Sequence, residues 1–334
     1  MDDVYYSYSL LGQRLRAAWD RLHKKNGIQY AYNVFGELQT ETSNSYGDYK
    51  TVYSLEYGYD NNGNRTSIKY PDGKTFDYEY DNLNRLINID DPDDNTLLNP
   101  VYRNNGSLSS IKRPNNANTS FAVDSLLRIE QMKHNLSGNE NDVTFNYAYN
   151  PAGQIKSLKL NNKKFEATQG PVEESYITNG LNQYSKVGSK SISYHTDGNL
   201  KDDGDNTYKY DVENRLITAN TERITVTLKY DPLGRLAEYR EGGTTRYFVY
   251  SGNALIAEYT TKHKMNARYV HSVGADVPVV RYDTASTAVV NRRFLHANHQ
   301  GSIVAVSKSD GNVYQINTYD EYGVPYWSNQ TRFA

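Results

Sequence analysis

The chain contains no cysteine, and only 2 tryptophans and 8 phenylalanines in 334 residues. Without cysteine there is no disulfide, no thiolate nucleophile and no cysteine-type zinc site. An excess of charge of one sign is also missing. The 37 basic residues face 39 acidic ones, for a net charge of −2, which leaves no electrostatic footprint for nucleic acid. No run approaches the roughly 18 apolar residues of a membrane-spanning helix. The opening MDDVYYSYSL lacks a basic region followed by an apolar stretch, so no signal peptide is expected in this segment. Export would need a route encoded elsewhere.

What is abundant is tyrosine, with 32 copies. Tyr, Thr and Val suit a pleated, half-buried surface, whereas Asn, Asp and Gly suit turns. A chain rich in both predicts many short strands joined by tight turns. The aromatic content argues against disorder, because disordered segments are poor in aromatics.

The turns repeat. Tyr59-Asp60-Asn61-Asn62-Gly63-Asn64-Arg65 has the form Tyr-Asp-x-x-Gly/Asn-x-Arg. Further copies start at Tyr80, Tyr210 and Tyr230, and looser ones at Tyr8, Tyr32, Tyr102, Tyr149, Tyr194 and Tyr319. Degenerate copies start at Val123 and Thr178, and a weak one at Tyr250. Neighbouring copies lie 16 to 29 residues apart, except for a long gap before Tyr319. Each part has a physical reason. Tyr closes a strand, and Asp bonds its own backbone two residues on. The Gly or Asn four residues after the Tyr tolerates a positive φ. Arg and Leu reopen a strand, pointing to opposite faces.

A second turn lies between successive copies. Ser67-Ile68-Lys69-Tyr70 alternates polar and apolar, Pro71-Asp72-Gly73 is a turn signal, and Thr75 to Tyr80 alternates again. Each unit is therefore a two-stranded hairpin. About a dozen units predict roughly 24 strands spaced ~4.8 Å apart. So wide a sheet must curl, since open sheets rarely exceed ~10 strands. Aligned tyrosines would stack from strand to strand. Leu11, Leu15, Ala18, Trp19 and Leu22 fall at helical spacing, but the repeat register favours a strand with Leu15, Ala17 and Trp19 on one face.

At these residues the chain resembles the YD-repeat, or RHS-repeat, family of bacterial Rhs polymorphic toxins, insecticidal toxin complex B and C components, and teneurins. The C-terminal run His296-Ala297-Asn298-His299-Gln300-Gly301-Ser302-Ile303, then Asp310-Gly311 and Tyr319-Asp320-Glu321-Tyr322-Gly323, is similar to that family's last repeats. The resemblance implies an all-β fold, a hollow spiral shell of hairpins that encapsulates a C-terminal toxin. It also implies a bacterial protein that is secreted or delivered extracellularly, with a polypeptide cargo as partner. The whole of 1–334 reads as one repeat domain, with 290–334 as the last repeats. The family's self-cleaving core would begin where Thr331-Arg332-Phe333-Ala334 ends the sequence. No match to that core or to a toxin domain is present, so the chain reads as a fragment.

No residue is expected to be catalytic, and no cofactor or metal is expected. His296 and His299, spaced by three, point to opposite faces on a strand and could meet over a metal only on a loop. The acidic loops Asp90-Asp91-Pro92-Asp93-Asp94-Asn95 and Asp202-Asp203-Gly204-Asp205-Asn206 do not fit a calcium-loop spacing and read as solvated turns. Paired carboxylates could serve glycoside hydrolysis, but most acids sit in the repeated turn, and no nucleophile elbow or phosphate loop is present. Asn-x-Ser/Thr sequons at Asn64, Asn105, Asn118, Asn135 and Asn329 are expected by chance in so Asn-rich a chain. Glycan binding by exposed Tyr faces or by Trp327 is the alternative reading, and a glycan-active enzyme is a remoter one. An incompletely rolled sheet would leave edges that invite self-association.

Overall fold

A computed structural model describes residues 3–19, 27–45, 48–166, 174–261, 264–274, 276–320 and 323–325. The described residues form an all-β structure of 30 strands and three single-turn 3-10 segments. Within each sheet, strands hydrogen-bond to their neighbours in chain order. The strands make a 14-stranded sheet from Tyr5–Tyr8 to Ile155–Leu160, a three-stranded sheet from Tyr176–Thr178 to Lys190–Ser191, and a 13-stranded sheet from Ser193–Tyr194 to Val313–Ile316. The single continuous sheet expected from the repeat is thus broken twice, between Leu160 and Tyr176 and again at the two-residue strands Lys190–Ser191 and Ser193–Tyr194. Two-residue strands are too short to carry a ladder onward.

The ambiguous N-terminal segment is a strand where it is described, Arg14–Ala18, paired antiparallel with Tyr5–Tyr8. Its faces differ from the expectation. Ala17 and Ala18 are both fully buried, while Leu15 is exposed. Leu22 lies outside the described residues.

The chain divides into two compact units, 1–54 with 170–250 and 257–265, and 55–169 with 251–256 and 266–334. In the first unit, Tyr53 packs on Tyr259 with ring centroids 4.7 Å apart. Arg235 reaches the buried carboxylate of Glu41 at 3.4 Å.

In the second unit, strands alternate as period-2 chemistry requires. Thr75–Tyr80 buries Phe76 and Tyr78 and exposes Asp77 and Glu79. The core gathers Val143 and Phe145 from the first long sheet, Val304 and Ala305 from the last, and Phe165 from the 3-10 segment Lys163–Phe165. The side-chain partners across this core keep a steady sequence offset. Tyr70 donates to the Tyr269 carbonyl 199 residues on, Tyr78 to that of His271 193 on, and Asn115 to Ser307 192 on. The strands after residue 266 therefore follow, hairpin by hairpin, those after residue 55.

Candidate functional site

The repeated turn has one geometry throughout. In the copy at Tyr80, the Asn84 N–H donates to the Asp81 carbonyl at 2.9 Å, and the Asp81 N–H donates to that of Arg85 at 2.9 Å. Asn84 has φ +58°, so the loop is a turn followed by a left-handed residue that leaves a bulge in the ladder. The Asp81 carboxylate accepts from the N–H groups of Leu83 (2.9 Å) and Arg85 (3.0 Å) with Oδ1. Its Oδ2 accepts from Arg85 Nε at 2.8 Å. Asp124–Arg128, Asp211–Arg215 and Asp231–Arg235 repeat the ion pair at 2.7, 2.7 and 2.6 Å. The Arg85 side chain, then the backbone N–H groups, hold the Asp81 carboxyl below the usual carboxylate range.

The sequence reading found the turn but missed how the units lock. Each arginine lies over the tyrosine of the following unit. Arg85 sits 4.5 Å from the Tyr102 ring centroid, Arg128 4.4 Å from Tyr149, Arg215 5.0 Å from Tyr230 and Arg235 4.9 Å from Tyr250. Those distances are cation–π contacts. The same tyrosines donate their hydroxyls to the carbonyl just after the arginine: Tyr102 to Leu86 at 3.0 Å, Tyr149 to Ile129 at 2.7 Å, Tyr230 to Leu216 at 2.7 Å. Tyr102, Tyr149 and Tyr230 thus carry a guanidinium on the ring where a row of stacked tyrosines was expected. The reason is reach: the turn arginine lies one hairpin back, on the same edge as the next tyrosine. No fixed spacing signalled it, since Arg and the next Tyr lie 17, 21, 15 and 15 residues apart in these four pairs. A further copy lies in the run likened to the last repeats and has neither Tyr nor Asp in its first two places. At Ala297-Asn298, the Asn298 side chain accepts from Gln300 and Ser302, and Gly301 has φ +87°.

A buried polar seam crosses the second unit. Asp72 pairs with Arg268, whose side chain is wholly buried and lies over the Tyr70 and Phe76 rings. Asp91 pairs with Arg292, and both side chains are buried. The acidic loop at Asp90 is therefore a turn, as expected, but Asp91 is sequestered rather than solvated. Its Oδ1 closes the turn by accepting from Asp93 (3.1 Å) and Asn95 (2.9 Å). The loop at Asp202 is also a turn, in which Asp203 accepts from Asp205, Asn206 and the Tyr208 hydroxyl.

Beyond Asp91 the seam changes character. Arg113 is buried and donates to the carbonyls of Ala117 (3.0 Å) and Leu295 (3.3 Å) and to Thr119 Oγ1 (3.0 Å). Among the described residues no carboxylate pairs with it, and burial brings its pKa down to about 9. His134 and His296 stand edge to face with centroids 5.5 Å apart. His134 Nδ1 meets Thr119 Oγ1 at 3.0 Å, and His296 Nε2 meets Ser307 Oγ at 2.9 Å. Burial, then the Arg113 charge, pushes the His134 pKa down to about 3 and keeps His296 well below the ordinary imidazole value.

His296 and His299 do not converge. His299 is exposed and meets the Tyr147 hydroxyl at 3.3 Å, with rings 4.9 Å apart. The described residues contain no group of three His, Asp or Glu side chains placed to hold a metal ion. Nor is any helix among them long and apolar enough to cross a membrane. Trp327 and the segment 331–334 lie outside the described residues.

These features define a tandem β-hairpin protein whose units are locked by a tyrosine–aspartate–arginine turn. The teneurin YD-shell family model matches residues 109–333, and the RHS repeat model matches 54–96. The chain belongs to the YD-shell family. It is 32% identical over 316 residues to the tRNA3(Ser)-specific nuclease WapA of Bacillus spizizenii and to the tRNA nuclease WapA of Bacillus subtilis strain 168. Those alignments cover 92% of this chain but 13% of either relative. In fold it is similar to the crystal structure of TcdB2-TccC3, with a TM-score of 0.65 and 13% identity over 96% of this chain and 22% of the other. A second TcdB2-TccC3 structure, without the hypervariable C-terminal region, gives a TM-score of 0.50 at 14% identity, over 94% of this chain and 20% of that one.

Proposed function

We propose that this chain is a non-catalytic shell segment of a bacterial Rhs-type protein that is delivered outside the cell, and that its work is to enclose or present a polypeptide. The observation that carries this reading is the YD-shell match across residues 109–333. The fate of the polar residues supports it. The motif Asp and Arg side chains are spent on each other and on the backbone. We also propose 1–334 as one repeat domain, with 290–334 as its last repeats, no residue with a catalytic, cofactor or metal role, and self-association through sheet-end strands such as Tyr5–Tyr8. Small-angle X-ray scattering tests the shell. A solid globule of this length has a radius of gyration of about 20 Å. A clearly larger value, with pair distances shifted to the particle edge, is expected. A solid-sphere profile near 20 Å overturns enclosure by this segment.

A second reading, glycan binding, has one observation in its favour. Tyr176 and Tyr184 are both exposed, with ring centroids 5.0 Å apart, a surface on which a sugar ring can stack. Loss of retention on a glycan array in Tyr184→Ala would favour it. Other tyrosines are committed to the core: Tyr53, Tyr57, Tyr70, Tyr78, Tyr147, Tyr269 and Tyr282 are all buried.

A further inference from the structure

Two copies of the repeat, at Tyr8 and Tyr59, carry their arginine one place later than the copies at Tyr80, Val123, Tyr210 and Tyr230. At Tyr80, Val123, Tyr210 and Tyr230 the arginine stands five residues after the first position, and Leu86, Ile129, Leu216 or Leu236 stands sixth. At Tyr59 the fifth place is Asn64, and the arginine is sixth, at Arg65. Asn64 takes the arginine's usual task and donates to Asp60 Oδ2 at 2.8 Å. Successive strand residues point to opposite faces. Arg65 is therefore displaced onto the face where its counterpart Leu86 is buried in the core.

On that face Arg65 lies between two buried tyrosines, 5.8 Å from the Tyr57 centroid and 5.6 Å from that of Tyr78. Among the described residues no carboxylate pairs with it. It lines a cavity of about 220 Å³ in the second unit, together with Tyr78, Asn253, His271, Ser272 and Asp276. That space holds about seven waters at ~30 Å³ each. His271 is 5% exposed. Its Nε2–H donates to the Leu255 carbonyl at 2.7 Å, which leaves Nδ1 as an acceptor. Nδ1 is buried without a hydrogen-bond partner, and the exposed Asp276 carboxylate stands 3.7 Å from it. The cavity thus joins a guanidinium that has no carboxylate partner among the described residues to the carboxylate of Asp276.

We propose that this cavity binds a small organic acid that also carries a hydrogen-bond donor. Its carboxylate sits on Arg65, and its ammonium or hydroxyl sits on Asp276. The planar guanidinium matches a carboxylate in two-point fashion, and the flanking tyrosine rings hold its plane. The chemistry comes from an amino acid or from a hydroxy or sugar acid. It does not depend on the chain enclosing a polypeptide.

Isothermal titration of the full chain with L-glutamate, D-glucuronate, acetate and glucose tests this. Glutamate or glucuronate is expected to bind with a Kd near or below about 1 mM, and whichever binds identifies the source of the donor. Acetate, which lacks the donor, and glucose, which lacks the carboxylate, are expected at least about tenfold weaker. Arg65→Leu installs the residue type found sixth at Tyr80, Tyr210 and Tyr230, so it is expected to fold, and it should abolish binding. Asp276→Asn, at an exposed position, should weaken binding several-fold. No heat from any probe at about 10 mM would mean a water-filled cavity only and overturns the proposal. Unchanged affinity in Arg65→Leu, or acetate binding as tightly as the other acids, does the same.

Discussion

Replacing Arg292 with methionine tests the buried seam directly. Methionine keeps the length and the apolar stem but removes the guanidinium from Asp91. The Asp91 side chain is fully buried and that of Arg292 is 4% exposed. Asp91 Oδ1 would keep the Asp93 and Asn95 donors, but Oδ2 would retain only the Tyr282 hydroxyl at 3.4 Å. Removing one partner of a buried ion pair typically costs about 3–5 kcal/mol, because the other charge stays behind. At roughly 2 °C per kcal/mol for a chain of this size, Tm should fall by about 6–10 °C. Urea unfolding followed by circular dichroism at neutral pH reads the same loss. The double variant Arg292→Met with Asp91→Asn removes both charges and keeps the turn's acceptor. It should return to within about 2 kcal/mol of the parent. A single variant within about 1 kcal/mol of the parent, or a double variant no better than the single, would refute the claim that this pair is truly desolvated.

Three further outcomes follow from the turns and the seam. Leu127 holds φ +62° in the degenerate turn and is 54% exposed, so Leu127→Gly should gain about 0.5–1 kcal/mol by relieving a left-handed leucine. Gly234→Val, at φ +80° with no neighbour closer than 3.8 Å, should lose at least about 1–2 kcal/mol from backbone strain alone; an unchanged Tm would sink the turn assignment. The seam histidines set a pH dependence. Their folded pKa values lie below the ordinary ~6.5, so the unfolded chain binds protons that the folded one refuses. Stability is therefore lost as pH falls below about 6.5, by about 1.4 kcal/mol per pH unit for each histidine, down to about 3 for His134. The turn carboxylates act lower. Asp81 is depressed by Arg85; at Asp211, burial pushes the pKa up, but the hydrogen bonds from Arg215 outweigh it. What those two contribute is whole above ~3.9 and is lost as pH falls through their folded values. Urea midpoints between about pH 7 and 4.5 should drop, less steeply in His296→Gln; a flat profile would remove the histidines from the account.

The hairpins were legible because their determinants are local. Asp81, Leu83, Asn84 and Arg85 sit within five residues, and the turn closes on itself. The positive φ values at Gly63, Asn84, Asn214 and Gly234 fall where Gly or Asn was required. The locking of Arg85 onto Tyr102 was harder to read, because the step from Arg to the next Tyr varies with the length of the intervening hairpin. The seam was not. Asp91 and Arg292 lie 201 residues apart, and no local pattern separates Asp91 from the solvated aspartates beside it. Nor could residue type distinguish His296, buried on Ser307, from His299, exposed beside Tyr147. The displaced Arg65 was visible as a one-residue shift, but its meaning depends on which face of the strand is buried.

The charge order along the seam bears on how a repeated sheet finds its register. Every hairpin presents similar apolar edges, so apolar contact alone would tolerate a slip by one unit. The polar residues do not repeat. Along one sheet they run acid, acid, base, as Asp72, Asp91 and Arg113. Along the other they run base, base, then a neutral group, as Arg268, Arg292 and the Leu295 carbonyl with His296. A slip of one hairpin in one direction sets Arg113 against Arg292 and leaves Asp72 without a cation. A slip in the other leaves Arg268 without an acid and places Asp91 against a carbonyl and a neutral imidazole. Either error buries unpaired charge at several kcal/mol per ion, which is comparable to the whole stability of an ordinary domain. The native offset alone pairs both acids and leaves Arg113 facing oxygen acceptors, so the seam discriminates between registers that the hydrophobic pattern leaves nearly equal.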